Sequence, residues 1–198
     1  MDFFRSIKFK SNIDFFYDCA EYISEDSTFN IDDSVYMCWT NDNEQFNLIH
    51  NFIDKLKNKL NCEISRSCYT VQRSKKSNLP IHIDKDDSIM DRSIHGEIYS
   101  LIIPIKGSGI TKFYNLHSED NGPNNMDIHE RYNLYIGNTN IEQQVQMHSA
   151  VTIEQPTILN ISQPHSVTVV TAPRITYHLK LLQVSEPIDK IAEILSEI

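Results

Sequence analysis

The sequence predicts a mainly β fold with flanking helices, a β-sandwich or jelly roll. Three observations predict it. Before Asn61 the apolar residues recur at helical spacing, after Asn61 they fall into short β-prone runs between turn residues, and Pro187 to Ile198 returns to a helical pattern. The 198 residues are expected to form a single domain. Residues 1–61 read as a helical buttress, 62–183 as the β core and 184–198 as a C-terminal helix.

The first helical segment places Ile13, Phe16, Tyr17, Ala20 and Ile23 on one stripe. The second begins near Asn41 and Asp42, residues suited to capping. It gathers Phe46, Ile49, Phe52, Ile53, Leu56 and Leu60 on one face. His50 lies within that run and reads as a helix-surface residue; Trp39, the sole tryptophan, is expected to pack the helices against the sheet. The strands are expected at 62–72, 79–83, 98–105, 110–114, 132–136, 145–148, 157–161, 167–171 and 175–183. The C-terminal helix opens on Pro187 and aligns Ile188, Ile191, Ile194 and Leu195.

Composition bounds the function. Asp and Glu outnumber Lys and Arg by 27 to 18, a formal charge of −9. That balance disfavours a broad nucleic-acid surface, which needs clustered cations to displace phosphate counterions. The longest apolar stretches, such as 99–105, fall well short of the roughly 20 residues of a membrane span. The first residues show no secretory signal. Cys19, Cys38, Cys62 and Cys68 show no metal-type or framework spacing, so free thiols and a cytoplasmic setting are expected.

The chemistry is sought among histidines and carboxylates. Two histidines and one carboxylate on one face of an Fe(II) ion leave positions open for other ligands. In a strand, residues i and i+2 share a side, so H-x-D or H-x-E supplies two such ligands. With 8 histidines and 27 acids, chance alone yields about one such triplet. The chain has three: His82-Ile83-Asp84, His95-Gly96-Glu97 and His117-Ser118-Glu119. Context favours the first, which closes an apolar run and opens a polar loop, where ligands are held firmly yet reached by substrate. His95-Gly96-Glu97 is loosened by its glycine, and His117-Ser118-Glu119 sits in a polar insertion.

A distant histidine, His165, stands at another strand end, in Gln163-Pro164-His165. Beyond it Arg174 lies in an otherwise apolar strand, and Thr176 shares its face. A guanidinium with an adjacent hydroxyl suits a carboxylate. His178 shares that face as well and reads either as a strand residue or as part of a pocket wall. Between Ile64 and Pro80, Arg66, Arg73, Lys75 and Lys76 stand without any acid. That run reads either as a solvated loop or as a means of drawing an anionic substrate inward.

The order H-x-D, distal histidine, then arginine resembles the Fe(II)/2-oxoglutarate-dependent oxygenases, prolyl-hydroxylase-like proteins built on a double-stranded β-helix. The resemblance runs from Cys68-Tyr69 through 79–84, Ser100–Ile105 and Thr111–Tyr114 to Pro164-His165 and Arg174-Ile175-Thr176. It implies that His82, Asp84 and His165 bind Fe(II), and that Arg174 and Thr176 hold the distal carboxylate of 2-oxoglutarate, with Tyr69 adding a phenolic hydrogen bond. It also implies consumption of O2, release of succinate and CO2, and hydroxylation of a peptidyl side chain, a free amino acid or another small metabolite. The long interval between His82 and His165 implies an insertion over 115–144. A non-oxidative, cupin-like jelly roll that binds a metal or ligand is the alternative, and it has no need of an arginine after the last metal ligand.

Overall fold

The computed structural model of the chain describes residues 3–23, 28–32, 35–40, 44–82, 97–116 and 145–198. Within them the elements run β1 (Phe4–Ser6), α1 (Phe15–Cys19), β2 (Thr28–Asp32), β3 (Val35–Trp39), α2 (Asn47–Leu60), β4 (Glu63–Gln72), β5 (Leu79–His82), β6 (Glu97–Leu116), β7 (Val145–Thr152), β8 (Thr157–Asn160), β9 (His165–Val184) and α3 (Ile188–Ser196). The fold is mainly antiparallel β with flanking helices, arranged as a jelly roll.

Two long strands make the architecture. The first half of β6 pairs with β8 and with the second half of β9, whereas its second half pairs with β7 and with the first half of β9. The first half of β9 also pairs with β5, and its second half with β4, which leads on to β3 and β2. Each long strand therefore belongs to two sheet halves. The register between them slips at Pro104–Gly109, the corner where both strands turn. Gly107 sits there at φ +68, and a Cβ would lie 2.4 Å from the carbonyl oxygens of Pro173 and Thr171. Lys106-Gly107-Ser108-Gly109 thus bends a single strand where the sequence predicts a break between two, 98–105 and 110–114. The runs 167–171 and 175–183 are likewise joined in β9.

Strand alternation assigns each side chain to a face. Leu101 and Ile103 of β6, Tyr177, Leu179 and Leu181 of β9, and Tyr69 of β4 pack against the helices. Those helices contribute Phe16, Ile49, Phe52, Leu56, Ile191 and Leu195. The ring of Phe16 lies 4.7 Å from that of Tyr177 and 5.2 Å from that of Phe52. Burying each such side chain contributes about 1.5–3 kcal/mol. α2 ends at Asn61, which takes the left-handed conformation that asparagine tolerates, at φ 47. The opposite face of the same strands looks between the two sheet halves.

The N-terminal segment departs from the expected helical buttress. Besides α1 and α2 it supplies β1, β2 and β3 to the sheet. α1 is only five residues long before a 3₁₀ turn at Ala20–Tyr22, so the stripe predicted across 13–23 is only partly α-helical. Trp39 is 39% exposed at the end of β3 and does not fasten helices to sheet; that work falls to Phe16, Phe52 and Tyr177. The strand expected at 132–136 lies outside the described residues.

The four cysteines are free and buried, and burial pushes the Cys62 and Cys68 thiols up to about 11. Among the described residues no helix is long and apolar enough to cross a membrane.

Candidate active site

A cavity of about 230 Å³ lies between the two sheet halves. His82 from β5, His165 and Arg174 from β9, and Gln72 from β4 all line it.

The two histidines are neighbours by register. β5 ends and β9 begins at the pair His82↔His165, and their ring centroids are 4.3 Å apart. His82 Nδ1 donates to the carbonyl of Pro80 at 2.7 Å, and His165 Nδ1 to that of Gln163 at 2.9 Å. A carbonyl can only accept, so each Nδ1 carries a proton, and in the neutral ring that leaves the Nε2 lone pair with which imidazole ligates metals. A backbone carbonyl two residues back thus sets the tautomer of both rings. The donor set fits a metal ion to this extent. Among the described residues no third His, Cys, Asp or Glu joins the pair. Asp84, the expected third ligand, lies outside them, as do His95, His117 and Glu119.

Arg174 is 4% exposed, and burial pulls its guanidinium down to about 10. Its Nη1 donates to Oε1 of Gln72, and Gln72 Nε2 donates in turn to the carbonyl of Ser77 at 2.6 Å. The register pairs Gln72 with Arg174 directly. Among the described residues no carboxylate pairs with this guanidinium. A buried cation whose partner is a neutral amide costs free energy that an incoming anion would recover. Gly109 makes room for it: a Cβ there would stand 2.7 Å from Arg174 Nε and 2.9 Å from its Cδ.

Thr176 follows on the same face, 1% exposed, and its hydroxyl lies 2.7 Å from Nε2 of His178. His178 lines the cavity itself.

Tyr69 goes elsewhere. Its phenol donates to the carbonyl of Phe16 at 2.7 Å, and its ring packs 4.9 Å from that of Tyr177 in the helix-side core. Desolvation in that core pushes the phenol far above its ordinary value. The reason is alternation: Thr70 and Gln72 of β4 face the cavity, so Tyr69 between them faces away. Tyr69 is therefore removed from the expected carboxylate contacts. Gln72 was the residue missed, and the same period of two, counted along the predicted strand 62–72, was the signal that would have found it.

The sequence matches no protein-family model. It also matches no curated protein. Similarity appears among solved structures. The non-heme alpha ketoglutarate dependent epimerase SnoN from nogalamycin biosynthesis superposes with a TM-score of 0.58 at 9% identity, over 91% of this chain and 78% of that one. HygX from Streptomyces hygroscopicus, solved with nickel, 2-oxoglutarate and hygromycin B bound, gives 0.51 at 10% identity over 90% and 82%. AviO1 from Streptomyces viridochromogenes Tue57 gives 0.50 at 11% identity over 94% and 92%. At the level of the fold, the chain is similar to non-haem 2-oxoglutarate-dependent enzymes.

Proposed function

We propose that the chain is an Fe(II)- and 2-oxoglutarate-dependent dioxygenase that hydroxylates a peptidyl side chain, a free amino acid or another small metabolite. The observation that carries the proposal is Arg174, a buried guanidinium whose one side-chain partner among the described residues is a neutral amide, in the cavity that the His82–His165 pair also lines. A dicarboxylate and a metal ion together answer both features.

In this reading His82, His165 and Asp84 hold the metal. Arg174, steadied by Gln72, binds the distal carboxylate of 2-oxoglutarate bidentately, and Thr176 orients His178 beside it. When bound, the metal and 2-oxoglutarate supply O2 activation, with release of succinate and CO2. The apolar wall, including Ile102, Leu159 and Ile161, keeps bulk water from the reacting groups. SnoN and HygX, similar in fold, are described as alpha ketoglutarate dependent or solved with 2-oxoglutarate, which supports this reading. The buried arginine speaks against a cupin-like binding protein, for which it has no use. The buried free thiols suit a reducing cytoplasm.

The test is succinate release from 2-oxoglutarate under O2 with Fe(II), in the wild type, Asp84→Ala and His165→Ala. Production in the wild type and none in either folded variant is expected. Wild-type production in His165→Ala would refute the assignment.

A further inference from the structure

A third histidine lines the cavity without joining the other two. His178 of β9 reaches it from the same face as Arg174 and Thr176, since residues two apart in a strand share a side. Among the described residues it belongs to no metal-type cluster. What it does hold is the hydroxyl of Thr176, 2.7 Å from its Nε2.

The pair sits on a firmly held stretch of strand. From Ile175 to Leu181, β9 runs between β4 on one side and β6 on the other. Thr176 lies opposite Thr70 and Pro104, and His178 opposite Cys68 and Ile102. With the backbone pinned along both edges, the side chains are what remains free to turn. Thr176 is 1% exposed, and among the described residues the one hydrogen-bond partner of its hydroxyl is the His178 ring.

A hydroxyl has one proton to give. If Thr176 gives it to Nε2 of His178, only lone pairs face an anion beside Arg174, and they repel it. If Nε2 carries a proton and donates it to Thr176 Oγ, the hydroxyl proton is left for the carboxylate. Only the second arrangement suits a carboxylate held jointly by Arg174 and Thr176. The chain of two bonds also polarises the hydroxyl, which makes it the stronger donor. His82 and His165 differ, because their Nδ1 protons go to backbone carbonyls and leave Nε2 for a metal. In His178 that same nitrogen is occupied.

We infer that His178 is a positioning residue for the cosubstrate: its Nε2–H donates to Thr176 Oγ and aims the hydroxyl proton at the carboxylate that Arg174 binds. The inference rests on the proposed function and adds a residue to its cosubstrate site. His178 acts through Thr176 and not as a metal ligand.

The test is a double-mutant cycle on the full chain, read as 2-oxoglutarate affinity by calorimetry with Zn(II) present. Thermal melting confirms that each variant is folded. His178→Phe is expected to weaken 2-oxoglutarate binding about fivefold, and Thr176→Val by a similar factor. The double variant should bind no more weakly than Thr176→Val alone, because His178 has nothing left to act through. His178→Gln, whose amide keeps a donor, should stay within about twofold of the wild type. Zn(II) affinity should hold in all of them. Unchanged 2-oxoglutarate affinity in His178→Phe, or additive losses in the double variant, would overturn the inference. Loss of Zn(II) affinity in His178→Phe would overturn it too, by making the ring a ligand. A second measurement needs no substitution: two-bond proton–nitrogen NMR spectra of the wild type report which imidazole nitrogen is protonated. With 2-oxoglutarate and Zn(II) bound, Nε2 of His178 should carry a proton, and a bare Nε2 would refute the assignment. Failure of the wild type to bind 2-oxoglutarate defeats the proposed function and this inference with it, whereas binding that ignores His178 defeats this inference alone.

Discussion

His82 and His165 face each other as the register pair that joins the end of β5 to the start of β9, and each ring donates Nδ1–H to the carbonyl two residues before it. Backbone geometry therefore sets both tautomers before any metal arrives. In the proposed site, replacing either ring by alanine removes one of three ligands and is expected to weaken divalent-metal binding by more than about 100-fold, read by calorimetry with Fe(II) or Ni(II). The fold should survive, because the lost bond is to a carbonyl at a strand end. Unchanged metal affinity in either variant would remove that histidine from the site.

In the proposed function, Arg174 links stability to ligand. Burial holds its guanidinium at about 10, below its ordinary value, so the unliganded fold pays for the charged form at all pH values below that and is relieved only as pH rises through it. A bound carboxylate favours the charged form. Affinity for 2-oxoglutarate is thus expected to hold steady from pH 7 to about pH 9 and to fall as pH rises past about 10. The same ligand should raise the melting temperature of the wild type and leave that of Arg174→Met unmoved.

Gly109 and Gly107 separate function from folding at one corner. A Cβ at Gly109 meets the Arg174 side chain, so Gly109→Ala should displace the guanidinium and weaken 2-oxoglutarate binding about tenfold, with metal affinity preserved. At Gly107 a Cβ meets two backbone oxygens at a positive φ, and Gly107→Ala should instead cost stability, about 1–3 kcal/mol by denaturant titration.

Much of this was legible in the chain, and the failures have physical causes. His82, His165 and Arg174 stood out because each interrupts or ends an apolar run, where a polar group needs a reason to be present. The corner at 106–109 read as a gap because glycine-rich turns look alike whether they end a strand or bend it; only pairing with β9 on both sides distinguishes them. The strands β2 and β3 were hidden because short runs such as 35–39 gain stability from the neighbouring β4, a contact no local pattern records. The resemblance assigns Tyr69 to the carboxylate, whereas strand alternation turns its side chain toward Phe16.

That reassignment has its own check. Tyr69→Phe leaves the Phe16 carbonyl without its donor and should cost about 1–3 kcal/mol of stability, while 2-oxoglutarate affinity stays unchanged. A loss of affinity without a loss of stability would return the phenol to the site.

The central claim is that Arg174 and the histidine pair bind one cosubstrate and one metal in a single cavity. The most direct measurement is the visible charge-transfer absorption that Fe(II) and 2-oxoglutarate develop together on the protein without O2. The wild type should show it, and both His165→Ala and Arg174→Met, each confirmed as folded, should lose it at 2-oxoglutarate concentrations that saturate the wild type. Absence of the band in the wild type, or its undiminished presence in both variants, would contradict the account.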